Sequence, residues 1–375
     1  MEKVLLTTVF TGYNYGSCLQ ALAGKIILEK HGYECMLVGR KSLMKGRDVR
    51  FGKLFTILYR SIILKGRTKS LNTYQRSFNK RLIGNSVKRF NEFEHLYLKP
   101  TYMSWYGLKK LAKVCKACFA GSDQIWNSST LYVDPLYYLR FAPHNKRIAF
   151  SPSFGRDFIA DYNKDKILHW VSEFSAISVR EDSGIPLIKS LTGREVTQIV
   201  DPTLLIEGET WRHILRLKKS EDKYILAYFL DKPSLKALDV IKELKSQLNC
   251  EVIGIPYIFD NMNYCDRVVP TGPIDFLNLI DNASVVLTDS FHGTAFSINL
   301  HTPFYVFGRE YGTAHSQNSR VDSILQKMGM TGRFEPLSAA TDLQKINFSF
   351  SDIVLESERK KASKYLINAI KKTEQ

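Results

Sequence analysis

Several features that would assign a class directly are missing from the 375 residues of this chain. No stretch approaches the ~20 consecutive apolar residues of a membrane-spanning helix. The N-terminal Met-Glu-Lys-Val-Leu-Leu begins a strand-like run and lacks a signal-peptide pattern, so we expect a cytoplasmic protein. Internal repeats and low-complexity tracts are also missing. With 44% apolar residues, the chain can build packed cores for one large or two ordinary domains.

Cysteine is scarce, and nucleotide-binding loops are missing. The six cysteines are irregularly spaced, which is typical of reduced thiols. Cys115 and Cys118 have the spacing of a zinc or redox pair, but the chain has no second such pair. The glycine-containing loop at 11–16 lacks the GxGxxG spacing of a dinucleotide-binding turn, and no Walker loop occurs. We therefore expect no metal site and no bound cofactor.

Acidic residues are nearly missing from residues 40–116. This segment holds 20 Lys and Arg against 3 Asp and Glu, a surplus of 17, while the whole chain has a formal charge of +16. The rest of the chain therefore sums to −1. Such a localised surplus indicates an anionic partner for this one segment.

The basic segment contains a predicted amphipathic helix at 49–64. Apolar residues fall three and four apart along it, and the Lys and Arg side chains lie largely elsewhere on the helix. The apolar positions are Phe51, Leu54, Phe55, Leu58 and Ile62. Either this face packs on the protein's own core, or it lies on an anionic bilayer, where each cation adds ~1 kcal/mol. The second arrangement predicts a peripheral position on the inner face of the membrane.

Outside this segment, strands and helices alternate. A strand at 4–10, a helix at 17–30 and a strand at 35–39 predict the βαβ opening of a doubly wound sheet. Further strands are predicted at 114–120, 147–151, 176–179, 224–230, 251–255, 284–287 and 304–307. We expect an N-terminal α/β lobe at 1–210 with a basic helical segment at 41–100, a C-terminal α/β lobe at 223–350 and a C-terminal helix at 351–375.

The stretch from Leu287 to Leu300 is the most informative in the chain. A buried strand is predicted to end at Asp289 and a helix to follow it. Ser290 and His292 then lie at a helix N-terminus, where backbone N–H groups and the helix dipole favour an anion. A histidine there can hold a phosphate or transfer a proton near neutral pH. The alternative is an N-cap serine beside a structural histidine.

Seven short motifs follow one another along the chain. They lie at 14–20, 120–127, 151–155, 178–181, 200–205, 289–294 and 318–321. In this order they resemble the polysaccharide pyruvyl transferase family, whose members transfer an enolpyruvyl unit from phosphoenolpyruvate to a sugar. The resemblance implies two Rossmann-like lobes similar to the GT-B architecture. It also implies a pyruvate ketal on a sugar of a cell-surface glycan or its lipid-linked precursor, with phosphate released and phosphoenolpyruvate as the co-substrate.

The resemblance also implies the donor-binding residues. These are Arg180, Ser290, Phe291, His292 and Gly293. The family usually has an arginine where this chain has Ser290. Arg320, at the start of another helix that is predicted at 321–328, is the further candidate for donor binding and for the missing charge. Arginine suits the donor because its planar fork binds two oxygens at once. His292 is the candidate general acid or phosphate partner. The alternative for Arg180 is an ion pair with Glu181 or Asp182.

The acceptor is expected near two other motifs. Residues 121–127 follow a strand and combine amides, a carboxylate and an indole, which fit a sugar ring and its hydroxyls. Asp123 is the candidate to deprotonate the attacking hydroxyl. The alternative is a capped turn with Trp126 in the core. The predicted acceptor-binding residues are Asn14, Tyr15, Ser17, Gln124, Trp126 and Asn127.

Two other functions stay open at this point. A nucleotide-sugar glycosyltransferase fits the same architecture, and the basic, aromatic-rich segment fits a nucleic-acid-binding protein. Nucleic acid is not the partner that we expect.

Overall fold

Two sheets of parallel strands organise the chain. The structure, a computed structural model, describes residues 1–43, 50–63, 82–256, 262–309, 315–336, 343 and 346–374, with only the backbone at 315–319. Internal contacts divide the chain into two units. The first contains residues 1–68, 94–205 and 357–375, and the second contains residues 69–93 and 206–356.

Each unit is built on one sheet. The first has the strand order β3-β2-β1-β4-β5-β6-β7, the second has the order β10-β9-β8-β11-β12, and all neighbouring strands are parallel. The strands are β1 (Lys3–Thr7), β2 (Glu34–Arg40), β3 (Thr101–Met103), β4 (Ala117–Ala120), β5 (Arg147–Ala149), β6 (Ala176–Val179), β7 (Thr197–Gln198), β8 (Tyr224–Tyr228), β9 (Glu251–Gly254), β10 (Arg267–Val268), β11 (Val285–Thr288) and β12 (Phe304–Val306).

Helices connect the strands. In the described residues they are α1 (Tyr15–Lys30), α2 (Phe51–Ile63), α3 (Ser86–Phe93), α4 (Trp105–Val114), α5 (Asp161–Ser172), α6 (Gly184–Thr192), α7 (Pro202–Leu205), α8 (Gly208–Leu215), α9 (Leu235–Leu248), α10 (Pro273–Asn282), α11 (Phe291–Leu300), α12 (His315–Lys327) and α13 (Ser349–Lys371). The central strands β1, β4, β8 and β11 are almost entirely buried, as expected for parallel strands covered on both faces.

Both strand orders contain one point at which the succession of strands reverses. In the first unit this switch point lies between β1 and β4, and in the second it lies between β8 and β11. Ligands of open parallel sheets bind outside the carboxyl ends of the strands at such a point. The loops that leave these four strands are therefore the places where each unit offers side chains to a ligand.

Most predicted elements lie where the sequence placed them, and the differences have local causes. Helix α1 begins at Tyr15, not at Ser17, because the Asn14 side chain caps it by accepting a hydrogen bond from Ser17 N at 3.0 Å. The strand predicted from Val114 begins at Ala117, because Val114 is still the last residue of α4. Helices α12 and α13 begin earlier than predicted, at residues 315 and 349.

The division into units differs from the predicted lobes in two segments. Residues 69–93 group with the second unit, and 357–375 group with the first, so α13 begins in one unit and ends in the other. Within the predicted basic segment, 44–49 and 64–81 lie outside the described residues, and a π-helical turn at Glu94–Leu98 follows α3. Among the described helices, none has the length and apolar character needed to cross a bilayer.

Candidate functional site

Asp123 lies at the switch point of the first unit, three residues after β4. Its Oδ2 accepts a hydrogen bond from Ser17 Oγ at 2.5 Å, and its Oδ1 accepts one from Gln124 N at 2.8 Å. Its φ is 68°, in the left-handed region that Asp adopts more readily than most residues. The residue is half-buried. The carboxylate is thus held by the first turn of α1, which follows β1, and by the loop after β4, in a residue that is partly exposed.

Two buried polar side chains tie these loops together. Thr8 Oγ1 donates to Ser122 O at 2.7 Å. Gln20 Nε2 donates to Val9 O at 2.7 Å and to Ser17 O at 2.9 Å. These bonds fix the N-terminal turn of α1 against the end of β1. They therefore position the Ser17 hydroxyl that donates to the Asp123 carboxylate.

Arg180 lies deeper in the first unit, directly after β6. Its Nη1 donates to Asp201 Oδ2 at 2.9 Å and its Nε donates to Glu181 Oε1 at 3.1 Å. The same two carboxylates accept hydrogen bonds from Ser122 and Ser153. These residues come from four motifs that are far apart in the sequence. The fold brings them together in one buried network at the ends of β4, β5, β6 and β7.

Within this network, one guanidinium is hydrogen-bonded to two carboxylates. Burial by itself lowers the pKa of Arg180, but the carboxylates of Glu181, Asp201 and Asp123 outweigh burial and hold that pKa above its usual value. The Arg180 side chain is only 2% exposed. The ion pair with Glu181, which the sequence left as the alternative, is present, and the donor-binding role of Arg180 stays a prediction.

The residues predicted to bind the acceptor divide by exposure. Asn14, Gln124 and Asn127 are partly exposed, and Asn127 Nδ2 donates to Gln124 Oε1 at 3.0 Å. Tyr15 and Ser17 are buried. The predicted contact between a sugar and Trp126 is wrong in this structure.

The Trp126 indole is fully buried, and its position explains the correction. It stacks on Tyr138 with ring centroids 5.4 Å apart, and its Nε1 donates to Tyr137 O at 3.1 Å. With the polar end of the ring satisfied inside the core, the indole offers no face to a ligand. The structural alternative, a turn with the tryptophan in the core, is the one observed.

In the second unit, Asp289 follows β11 at the switch point. Its carboxylate accepts hydrogen bonds from the backbone N–H groups of Leu230 at 2.6 Å and Asp231 at 2.9 Å, in the loop after β8. Arg309 Nε donates to it at 3.1 Å. Burial raises the pKa of Asp289, and Arg309 and the two amides offset this only in part. Asp289 is therefore held by three donors and fixes the loop after β8.

Helix α11 begins directly after Asp289, with Ser290 as its N-cap. Ser290 Oγ accepts a hydrogen bond from Gly293 N at 3.3 Å, and Ser290 N donates to Thr288 Oγ1 at 3.0 Å. His292, in the first turn, is half-buried, and its ring meets the edge of Phe291 with centroids 5.3 Å apart. Of residues 290–293, only His292 is more than marginally exposed; Ser290, Phe291 and Gly293 are buried.

Arg309 is the residue that reasoning from the sequence missed. It follows β12, the neighbour of β11, and besides its bond to the Asp289 carboxylate its Nη2 donates to Asp289 O at 3.0 Å. The available signal was its place just after a strand, at the sheet edge where ligands bind. Arg320, predicted at a helix start, is instead the sixth residue of α12 and is buried.

Metal ligands are not assembled in the described part of the chain. It contains no group of three or more His, Cys, Asp or Glu residues able to hold a metal ion. Cys115 and Cys118 are free thiols in the core, and burial raises the pKa of both. Their spacing therefore reflects packing at the start of β4.

Comparison with known proteins places the chain in a family. The sequence pattern of the polysaccharide pyruvyl transferases matches residues 14–311, which is more than half of the chain. The chain belongs to the polysaccharide pyruvyl transferase family. It is therefore a transferase that acts in polysaccharide modification, and the predicted family and enzyme class are confirmed. Comparison with curated proteins finds no match.

Solved structures show the fold of this pyruvyl transferase family member. UDP-GlcNAc 2-epimerase from Neisseria meningitidis, bound to UDP-GlcNAc, superposes with a TM-score of 0.51 at 9% identity, covering 98% of this chain and 100% of the epimerase. A Listeria monocytogenes protein assigned as a UDP-N-acetylglucosamine 2-epimerase gives 0.50 at 10% identity, over 95% and 91% of the two chains. Together with the two parallel sheets, this likeness confirms the predicted fold class, two Rossmann-like lobes of the GT-B type.

Proposed function

We propose that this enzyme transfers the enolpyruvyl group of phosphoenolpyruvate to two hydroxyls of a sugar, in a cell-surface glycan or its lipid-linked precursor, and releases phosphate. The main support is His292, half-buried in the first turn of α11, in a chain whose residues 14–311 match the family. The proposal assigns the donor to the second unit and the acceptor to the first.

The charges of the second unit suit the donor. Phosphoenolpyruvate carries a phosphate and a carboxylate, and the N-terminal end of α11 favours anions through its N–H groups and dipole. Arg309 brings a guanidinium to the residue before the helix N-cap. It is our candidate for the cation that the family usually has where this chain has Ser290. Arg320 stays the second candidate.

The first unit suits an uncharged partner. The carboxylates of Glu181, Asp201 and Asp123 lie near Arg180, which disfavours a dianion there, and the partly exposed Asp123 can accept hydrogen bonds from hydroxyls. Asp123 is the candidate base, because its carboxylate is held in place by Ser17 and the residue is partly exposed. The amides of Asn14, Gln124 and Asn127 are the candidate contacts for the other sugar hydroxyls.

The reaction balances without a cofactor. His292 gives a proton to the methylene carbon of the donor, and the first sugar hydroxyl bonds to the resulting oxocarbenium-like carbon while Asp123 takes its proton. The second hydroxyl then bonds to the same carbon as the bond to phosphate breaks. One hydroxyl proton replaces the proton given by His292, and the other leaves with phosphate. The reaction as written needs neither a metal nor a nucleotide.

Donor binding tests the assignment to the second unit. We expect titration calorimetry to detect binding of phosphoenolpyruvate, and His292→Asn to weaken it at least about tenfold, because the imidazole that lies against the donor to give it a proton also contacts its anionic groups, and Asn cannot carry that charge. His301→Asn is the matched control. His301 ends the same helix in a left-handed conformation that Asn tolerates, and it pairs with Asp352.

Turnover tests the assignment to the first unit. With a panel of glycans and lipid-linked oligosaccharides, we expect Asp123→Asn to slow phosphate release from phosphoenolpyruvate by about 100-fold or more, since a general base is removed. Donor affinity should stay unchanged, because Asn keeps the left-handed backbone and the contact with Gln124 N. Binding of nucleotide sugars with none of phosphoenolpyruvate would overturn the proposal in favour of a glycosyltransferase.

A further inference from the structure

Helix α2 is attached to the first unit by its polar face. Arg60 Nη1 donates to Asn163 Oδ1 at 2.6 Å and to Leu131 O at 3.1 Å. At the start of the helix, Arg50 pairs with Asp134. The cationic face of an amphipathic helix is normally exposed to solvent. In α2, the cations of that face instead bond to the first unit and hold the helix against it.

The opposite face of α2 is apolar and exposed. No residue of the helix is buried. The apolar stripe consists of Phe51, Leu54, Phe55, Leu58, Ile62 and Ile63, and each of these side chains is 48–78% exposed. They recur three and four apart through the whole helix, about 20 Å long. Single exposed apolar residues need no explanation, but a continuous stripe of this kind marks an interaction surface.

The helix lies within the most basic part of the chain. Residues 64–81, which follow it directly, carry six Lys and Arg and no Asp or Glu. An apolar stripe flanked by cations matches an anionic bilayer, in which the stripe enters the acyl boundary and the cations meet lipid headgroups. An apolar protein groove without acidic residues around it would match the stripe but not the charge.

We propose that the apolar stripe of α2 is the surface by which this enzyme docks on an anionic membrane. The helix lies in the plane of the interface, and Arg50 and Arg60 fix its orientation relative to the first unit. This inference goes beyond the transfer reaction and is independent of it, because no residue of α2 belongs to the proposed chemistry.

Vesicle sedimentation tests the proposal. We expect the full chain to bind vesicles of phosphatidylcholine with ~30% phosphatidylglycerol, and to bind about tenfold more weakly to phosphatidylcholine alone or when salt is raised. Leu58→Glu and Phe55→Glu should each weaken binding about tenfold or more, since both side chains point away from the unit. Leu235→Glu and Phe350→Glu, at exposed positions of α9 and α13, are the matched controls and should bind as the wild type does.

A second readout measures insertion directly. In Phe55→Trp, fluorescence should be quenched by brominated acyl chains beyond the quenching of the native tryptophans. His292→Asn should bind vesicles normally, which separates this surface from donor binding. The proposal is overturned if anionic vesicles are not bound at low salt, or if both glutamate variants bind like the wild type. Two other results would also overturn it if the chain does not bind vesicles. In the first, the chain forms a dimer that Leu58→Glu dissociates. In the second, the chain binds arbitrary RNA.

Discussion

In each unit, the segment that follows the first central strand is hydrogen-bonded to a carboxylate across the switch point. In the first unit, Ser17 donates a side-chain hydrogen bond to Asp123. In the second, the backbone N–H groups of Leu230 and Asp231 donate to Asp289. Asp123 is half-buried, whereas Asp289 is buried and paired with an arginine.

This difference shows how one sheet order supports two kinds of site. Around Asp123 the acid itself is the reactive candidate, and further carboxylates lie behind it with Arg180. Around Asp289 the acid is structural, since it lies beside the turn that starts α11, where His292 is half-buried while Ser290, Phe291 and Gly293 are buried. The comparison therefore predicts that the buried arginine of the first unit matters mainly for stability.

The largest expected effect is that of Arg180→Ala. The variant leaves the buried carboxylates of Glu181 and Asp201 without their cation, so we expect the free energy of unfolding of the first unit to fall by about 3–5 kcal/mol. Arg309→Ala should cost only about 1–2 kcal/mol, because Asp289 keeps two backbone donors. Urea denaturation followed by tryptophan fluorescence measures both.

Arg194→Ala is the control for that pair of variants. Arg194 lies in the first unit and donates to the backbone oxygens of Ser172, Phe174 and Ser175, with no carboxylate among these bonds. If Arg180→Ala were no more destabilising than Arg194→Ala, the buried charge network would not distinguish the two switch points. Loss of activity in Arg180→Ala would by itself say nothing about donor binding, because the fold is affected.

A smaller effect is expected from Gly293→Ala in the second unit. A Cβ at this position would lie 2.6 Å from Thr288 Oγ1, which donates to Tyr228 O and accepts from Ser290 N. The added methyl must displace this side chain, so we expect a loss of about 1–3 kcal/mol in stability and weaker donor binding. Gly332→Ala, with open space around it, should leave the thermal midpoint unchanged. Equal midpoints for the two variants would contradict the close packing of the α11 turn.

Much of the fold and of the candidate site could be predicted from the sequence, because buried parallel strands are continuous apolar runs and the loops after them begin with polar motifs. The strand before Asp289 and the helix carrying His292 were found in this way. The partners of Arg180 were only half predictable. Glu181 is its neighbour, but Asp201 comes from the end of another strand, and only the sheet order brings the two together.

The direction in which a face points could not be predicted. The spacing of the apolar residues predicted helix α2. It did not predict that Arg60 would donate a hydrogen bond to Asn163, which leaves the apolar stripe exposed. In the same way, a tryptophan in a polar loop can face a ligand or the core, and Trp126 faces Tyr138. These choices depend on contacts between residues far apart in the chain.

The smallest expected effect concerns a surface ion pair away from either switch point. The stability lost when this exposed pair is removed is the reference for the loss expected from Arg180→Ala. In the second unit, Asp266 Oδ1 accepts a hydrogen bond from Lys245 Nζ at 2.5 Å, and this bond, with a second from Val252 N, lowers the pKa of Asp266 below its usual value. The pair therefore stabilises the fold above the unfolded-state pKa of about 4, and this contribution is lost as pH falls through the lower folded-state pKa.

Comparing Asp266→Asn with the wild type by urea denaturation at several pH values checks this sign. The variant should be less stable at neutral pH by less than about 1 kcal/mol, because the pair is exposed, and the difference should vanish in acid. Lys245→Met should reproduce the neutral-pH loss. A difference that grows as the pH falls would reverse the assigned shift, and a loss as large as that of Arg180→Ala would remove the distinction between buried and exposed pairs.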